Sequence, residues 1–182
     1  MSATMDDPAQ WTVHGSRRVY TSDWVDVDLD EVEIPGRARF EHHVLRFPRP
    51  SAGAVVVDGD RVLLLWRHRF IVDTWGWEIP AGWVDAGEEP VVAAAREVAE
   101  ETGYRAGSLA HLVTVNPMPG ISTHRFHLYV ATDLTRVGEP DPAESSRREW
   151  VATADLPALI GGGDIADAAT VSALGTYLVT RG

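Results

Sequence analysis

The amino-acid sequence predicts an α+β fold, a sandwich of strands and helices with further strands at the N-terminus. Three observations point there. Strand-like segments outnumber helical ones. The two clearest helical segments each follow a group of strands, whereas a parallel doubly wound sheet requires strand and helix to alternate. The composition, 45% hydrophobic and 24% charged over 182 residues, is that of an ordinary globular chain able to bury one core.

Each element has its own signal. Trp24 to Asp30 alternates apolar and acidic residues with period two, and Arg37 to Phe47 is a second extended segment cut by Pro48 and Pro50. These strands mark off an N-terminal region, residues 1–48, from a main domain at 49–182. Ala52 to Val57 and Arg61 to Trp66 are short apolar runs around Asp58-Gly59-Asp60, a hairpin pattern. Trp75 to Ile79 ends at Pro80, and Ala81-Gly82 opens a loop. Pro90 to Thr102 is the strongest helix: proline stands at a tolerated first position, the interior is alanine-rich, and Gly103 suits a left-handed cap. Further strands are expected at Leu109 to Val115, Arg125 to Thr132 and Arg148 to Val151. Gly161-Gly162-Gly163 reads as a flexible turn, and Asp167 to Thr180 as a closing amphipathic helix.

Charge and composition narrow the function. With 16 Lys+Arg against 27 Asp+Glu the net charge is −11, and the absence of a basic cluster leaves no electrostatic footprint for duplex nucleic acid or an anionic membrane. There are no cysteines, which removes thiolate nucleophiles, disulfides, zinc fingers and iron–sulfur ligation. Any metal must use oxygen or imidazole. The opening residues carry no basic-then-apolar leader, and no segment approaches the ~18 apolar residues of a spanning helix, so a cytoplasmic protein is expected. The seven histidines form no site: His124 and His127 are an odd number apart on an expected strand, and His42-His43 are adjacent. Neither a G-x-S-x-G elbow nor an HExxH pair occurs.

The chemistry concentrates on the first helix. At ~100° per residue, Glu97, Glu100 and Glu101 project within roughly 100° of one another. Val91, Ala95, Val98 and Thr102 cluster about 140° away by the same arithmetic, so the expectation is an apolar face against a sheet with the glutamates pointing outward. Three like charges within one and a half turns repel. Arg96 offsets part of that charge, but one guanidinium cannot balance three carboxylates. Either the face is simply solvated or it holds hard divalent cations such as Mg2+, which take carboxylate, water and phosphate oxygens. The preceding segment, Gly82-Trp-Val-Asp-Ala-Gly87-Glu88, favours the second reading, because its glycines allow a sharp turn that brings carbonyls such as that of Ala81 against an ion. Glu88-Glu89 stands where a P-loop needs Lys and Ser/Thr, so that motif is excluded.

The segment Gly82-x5-Glu88-x7-Arg96-Glu97-Val98-Ala99-Glu100-Glu101-Thr102-Gly103-Tyr104 resembles the Nudix box, departing only at Tyr104, where the family has an aliphatic residue. The resemblance implies a Nudix-type α/β/α sandwich with a mixed sheet, plus N-terminal antiparallel strands, that hydrolyses a nucleoside diphosphate linked to another moiety. It implies that Glu97, Glu101 and the Ala81 carbonyl ligate Mg2+ or Mn2+, that Glu100 assists, and that Glu88 and Arg96 orient the ligands. Outside the box, Glu78-Ile79-Pro80-Ala81-Gly82, Met118-Pro119-Gly120-Ile121-Ser122 and Ile165-Ala-Asp167-Ala-Ala-Thr170 resemble segments of the ADP-ribose and nucleoside-diphosphate-sugar pyrophosphatases. That likeness implies substrate contacts at Glu78, Pro119, Ser122 and Arg69, the last able to fork two phosphate oxygens or to form a salt bridge. It also implies a water-activating glutamate in a later loop, at Glu144 with Glu139 as runner-up. Trp24 and Trp75 are candidates to stack on a base. In this subgroup N-terminal strands commonly exchange between subunits, so a homodimer is expected. The leading expectation is cleavage of ADP-ribose to AMP and ribose 5-phosphate. The alternatives are another nucleotide (a damaged nucleoside triphosphate, FAD or a different nucleotide sugar) and a non-catalytic nucleotide sensor.

Overall fold

The structure, a computed structural model, describes residues 10–140 and 147–181. By backbone contacts the chain forms two compact units, one of residues 1–48 with 118–124 and the other of residues 49–117 with 125–182.

The first unit is a three-stranded antiparallel sheet in the order β1-β2-β3, with β1 at Thr12–Tyr20, β2 at Asp26–Glu33 and β3 at Phe40–Arg46. β1 escaped the sequence analysis because His14, Gly15, Arg17 and Arg18 interrupt its apolar residues. Its residues are all exposed, so no core selects for an apolar pattern. The Met118–His124 segment joins this unit through backbone bonds to β3: Leu45 N–H donates to the Ile121 carbonyl at 2.7 Å, and Thr123 N–H to the Leu45 carbonyl at 3.0 Å.

The second unit holds a mixed sheet. Its central path runs β10-β5-β4-β9-β8, with β4 at Ser51–Asp58, β5 at Arg61–Arg69, β8 at Tyr104–Val115, β9 at Phe126–Arg136 and β10 at Arg147–Ala152. β4 and β9 run parallel, and the other pairings are antiparallel. Two short strands lie off this path: β6 (Thr74–Glu78) pairs with β5 and β7 (Ala81–Trp83) with β4. β7 corrects the expectation of a loop opening at Ala81, because Gly53 and Ala81 are register partners. Helix α1 (Pro90–Thr102) covers one face of the sheet through Ala93, Ala94 and Val98 against Ala54, Val56 and Leu63. Helices α2 (Leu156–Gly162) and α3 (Ala168–Thr180) cover the other, through Leu156, Ala173 and Leu174 against Val55, Leu64 and Leu128. Coverage on both faces is why Ser51 to Val57 is buried at every position and reads as an unbroken apolar run.

Two local readings change. Gly161 and Gly162 close α2, and Gly163 caps it with φ +85°, so the glycine run is a helix end rather than a flexible turn. Asp167 lies just outside α3 as its N-cap, accepting from Thr170 N–H at 2.7 Å.

Candidate active site

Helix α1 has the limits its sequence predicts, with Pro90 in its first turn and Gly103 capping it at φ +76°. A Cβ at Gly103 would lie 2.5 Å from the Gly138 carbonyl oxygen, so space as well as dihedral angle selects glycine there. Its orientation departs from expectation. Ala93, Ala94, Glu97, Val98, Glu101 and Thr102 are the buried residues, an arc of roughly 180° with Glu101 near its centre. Glu97 and Glu101 therefore turn inward, only Glu100 of the three stays exposed, and Val91, expected in the packed face, is exposed. Packing alone never favours this rotation, since an alanine would bury more cheaply than a carboxylate.

Two strands receive the two glutamates, and a third, in register with β5, carries a further buried carboxylate. On β7, Ala81 N–H donates to Glu101 Oε2 at 3.1 Å, and Gly82 lies so close to Glu97 that a Cβ there would overlap its carboxylate. On β5, Arg67 pairs with Glu101 Oε1, both side chains buried. On β6, Glu78 is buried and is forked by Arg69, whose Nε donates at 2.8 Å and Nη2 at 2.5 Å. Strand register puts Leu65 opposite Glu78 and Arg69 opposite Thr74, so Arg67, Arg69 and Glu78 share the α1 face of the sheet. The start of α3 is tied to the same region: Ile79 N–H donates to the Thr170 hydroxyl at 3.3 Å, and the Asp167 charge acts on Arg69. This contact is a physical reason for the Glu78–Gly82 and Ile165–Thr170 segments to occur together.

The electrostatics follow from burial. Glu101 is pushed up to about 7, chiefly because burial disfavours its charged form; Arg67 opposes that shift and the Glu97 charge adds to it. Arg96 is the hub of the outer ring. It donates to Glu88 at 3.0 and 3.2 Å, to Glu97 at 2.6 Å, to Glu100 at 3.3 Å and to the Trp83 carbonyl at 2.9 Å. Its hydrogen bond to Glu88 is the main reason that carboxyl is held below the usual range. Among the described residues no three acidic or histidine side chains form a ready metal cage. A hard ion needs none, because Mg2+ takes one or two carboxylates and completes its shell with water and substrate phosphate. The buried Glu97 and Glu101 beside the backbone of β7 fit that donor set.

The remaining predicted residues separate. Trp24, Pro119 and Ser122 belong to the first unit, where Trp24 is 60% exposed and Ser122 is buried, its hydroxyl accepting from His124 N–H. Trp75 lies on the opposite face of the β5–β6 hairpin from Arg69, opposite His68 and stacked on Trp66. Glu139 is exposed and paired with Arg136. Glu144 lies outside the described residues. Tyr104, where the box departs from its family, packs edge-on to Trp150 beside a cavity of about 600 Å³ that holds none of the predicted site residues. Sequence reasoning missed Arg67. Its signal was parity, because on β5 it falls in step with the buried Leu63 and Leu65, where an arginine needs a buried partner.

A sequence model of the NUDIX domain matches residues 47–172. The chain belongs to the Nudix family. This Nudix protein is 39% identical, over 85% of its length and 75% of the relative's, to a CMP-5′-(N-acetyl-N-hydroxy-3-aminopropyl)phosphonate hydrolase of Streptomyces rubellomurinus. It is 27% identical to an ADP-ribose pyrophosphatase of Bacillus subtilis, over 86% of both chains. The crystal structure of an ADP compounds hydrolase superposes with a TM-score of 0.83 at 23% identity, covering 95% of this chain and 96% of that one. At that identity the likeness is one of fold. The protein is thus an enzyme, a Nudix hydrolase resembling ADP-ribose pyrophosphatases, from a family that acts on small-molecule nucleotides and generally uses divalent metals. Among the described residues no helix is long and apolar enough to cross a membrane.

Proposed function

We propose that this enzyme hydrolyses the pyrophosphate bond of a nucleoside diphosphate sugar, ADP-ribose to AMP and ribose 5-phosphate, with Mg2+ as cofactor and Mn2+ as substitute. The observation that carries the reading is the burial of Glu97 and Glu101 against the backbone of Ala81 and Gly82. Two carboxylates sunk where alanine would pack better are explained by an ion they hold.

Glu97, Glu101 and the Ala81 carbonyl hold the metal, with Glu100 assisting from the exposed rim. When bound, the ion supplies charge neutralisation on the phosphates and an acidified water. Arg96 and Glu88 fix the glutamate rotamers from behind, a role matching the bonds Arg96 makes to Glu88, Glu97 and Glu100. Glu78 and Arg69 bind substrate, which requires Arg69 to share its fork between Glu78 and a phosphate. Trp24 stacks on the base, Pro119 and Ser122 contact the substrate, and Glu144 draws the proton from the attacking water.

A second reading has its own support. The 39% identical relative is named for a CMP-linked phosphonate, so a cytidine nucleotide joined to another phosphorus group is the competing substrate. Incubation with ADP-ribose and with a CMP-linked phosphonate, each with Mg2+, decides by kcat/KM. AMP release abolished by Glu101→Gln supports the first reading. CMP release alone replaces it with the second, and release of neither nucleotide rejects both.

The enzyme is further proposed to be a cytoplasmic homodimer paired through the first unit. β1 is an edge strand with Val13, Val19 and Tyr20 all exposed, a surface that invites strand exchange. A monomeric mass by light scattering would remove this proposal.

A further inference from the structure

The Arg67–Glu101 pair puts a permanent cation against a carboxylate assigned to a metal. The Arg67 side chain is 8% exposed and that of Glu101 3%. Arg67 takes Oε1 while Ala81 N–H takes Oε2, so both oxygens of Glu101 are held without any ion. The preceding inward-facing residues of β5 are apolar. Leu63 and Leu65 precede it on the same face and are buried, and an apolar residue would continue that face without the desolvation cost of a buried charge. Arg96 behaves differently. It is part-exposed and spreads its donors over Glu88, Glu97, Glu100 and the Trp83 carbonyl, so it stays anchored whatever Glu97 binds.

We propose that Arg67 is a resident stand-in for the divalent ion. It holds the Glu101 carboxylate in place while the site is metal-free, and it then competes with the incoming ion for that carboxylate, setting the affinity of the site. Arg67 is a positioning residue, and the inference rests on the reading that Glu101 is a metal ligand. The expected direction follows from charge: removing one positive charge beside a divalent ion in a part-buried site raises the ion's affinity, while leaving Glu101 without its counter-charge weakens the metal-free fold.

The test uses the full-length protein, with Mn2+ and Mg2+ alone as probes in titration calorimetry and thermal melting in EDTA. Arg67→Met and Arg67→Gln should melt lower than wild type in EDTA and bind Mn2+ at least about tenfold more tightly. Arg67→Lys, which keeps the charge, should stay near wild type in both. Should Arg67→Met not fold, Arg67→Gln carries the comparison, since it retains a donor for Glu101. Lower melting with unchanged or weaker Mn2+ affinity overturns the inference and leaves an ordinary buried ion pair. Absence of ion binding in the wild type, with and without ADP-ribose, instead overturns the metal reading beneath it.

Discussion

Both units bury carboxylates among the described residues, and those on β2 of the first unit and on α1 of the second are treated in opposite ways. On β2 in the first unit, Asp28 and Asp30 are 4% and 6% exposed. Asp28 accepts from Arg18 Nε at 2.8 Å and from Arg46 Nε at 2.7 Å, and Asp30 takes Arg46 Nη2 through both oxygens at 2.6 and 2.9 Å. The hydrogen bond from Arg18 is the main cause holding Asp28 below the usual carboxylate range. On α1 in the second unit, Glu101 is as deeply buried and has a guanidinium beside it, yet burial outweighs that partner and raises its pKa to about 7. A carboxylate with charge-assisted donors on both oxygens stabilises a fold. One left under-compensated is available to a ligand, and perturbed groups of this kind concentrate at functional sites.

The sharpest break of this contrast is Glu101→Gln. Mutating residues that merely support a metal ligand costs ~10–100-fold in affinity or activity, so losing the ligand itself should cost more than about 100-fold in nucleotide release. Asp28→Asn should do the reverse, lowering the melting temperature by several degrees while kcat changes little. If Glu101→Gln leaves nucleotide release intact and, like Asp28→Asn, only lowers the melting temperature, the two sites are of one kind and the contrast is lost.

Gly82→Ala comes next. Its Cβ would overlap the Glu97 carboxylate and force that side chain away from β7, lowering Mn2+ affinity by about 10–100-fold in calorimetry. The choice of base is tested by Glu144→Gln, expected to lower kcat by ~10²-fold or more. The exposed Glu139, paired with Arg136 at the surface, should tolerate Glu139→Gln with a stability change of under about 1 kcal/mol and no change in kcat.

The smallest effect is on pH dependence, and its sign differs between the units. Asp28 binds its proton less readily folded than unfolded, so its contribution is fully present above its ordinary value of 3.8 and is lost as pH falls through the lower folded value. Glu101 is the opposite case. Folded protein holds its proton more tightly, so the metal-free second unit should lose stability as pH rises from 4.5 to about 7. Mn2+ affinity should climb over the same window as the proton leaves. Melting curves in EDTA beside Mn2+ titrations from pH 4 to 8 check both.

Much of this was legible in the chain. Pro90 and Gly103 set the ends of α1 because proline and glycine act on local backbone geometry, and Asp58-Gly59-Asp60 marked its hairpin for the same reason. The box could be read because its residues lie within 23 consecutive positions, 82 to 104. β1 was invisible because an exposed edge strand needs no apolar alternation. β7 was missed because three residues carry too little pattern to register. The rotation of α1 was misread because an amphipathic rule assigns charge to solvent, and here two charges follow the sheet instead.

Sequence alone determined the residue inventory of the site and the elements that carry it, since helix caps, turns and a contiguous motif depend on neighbours in the chain. Tertiary structure decided which of those charges are buried and by whom they are met. Arg67 lies 34 positions before Glu101, and only the packing of α1 onto β5 and β7 brings that guanidinium to that carboxylate. Burial and partner together set the charge state of Glu101, and both depend on contacts no local pattern encodes.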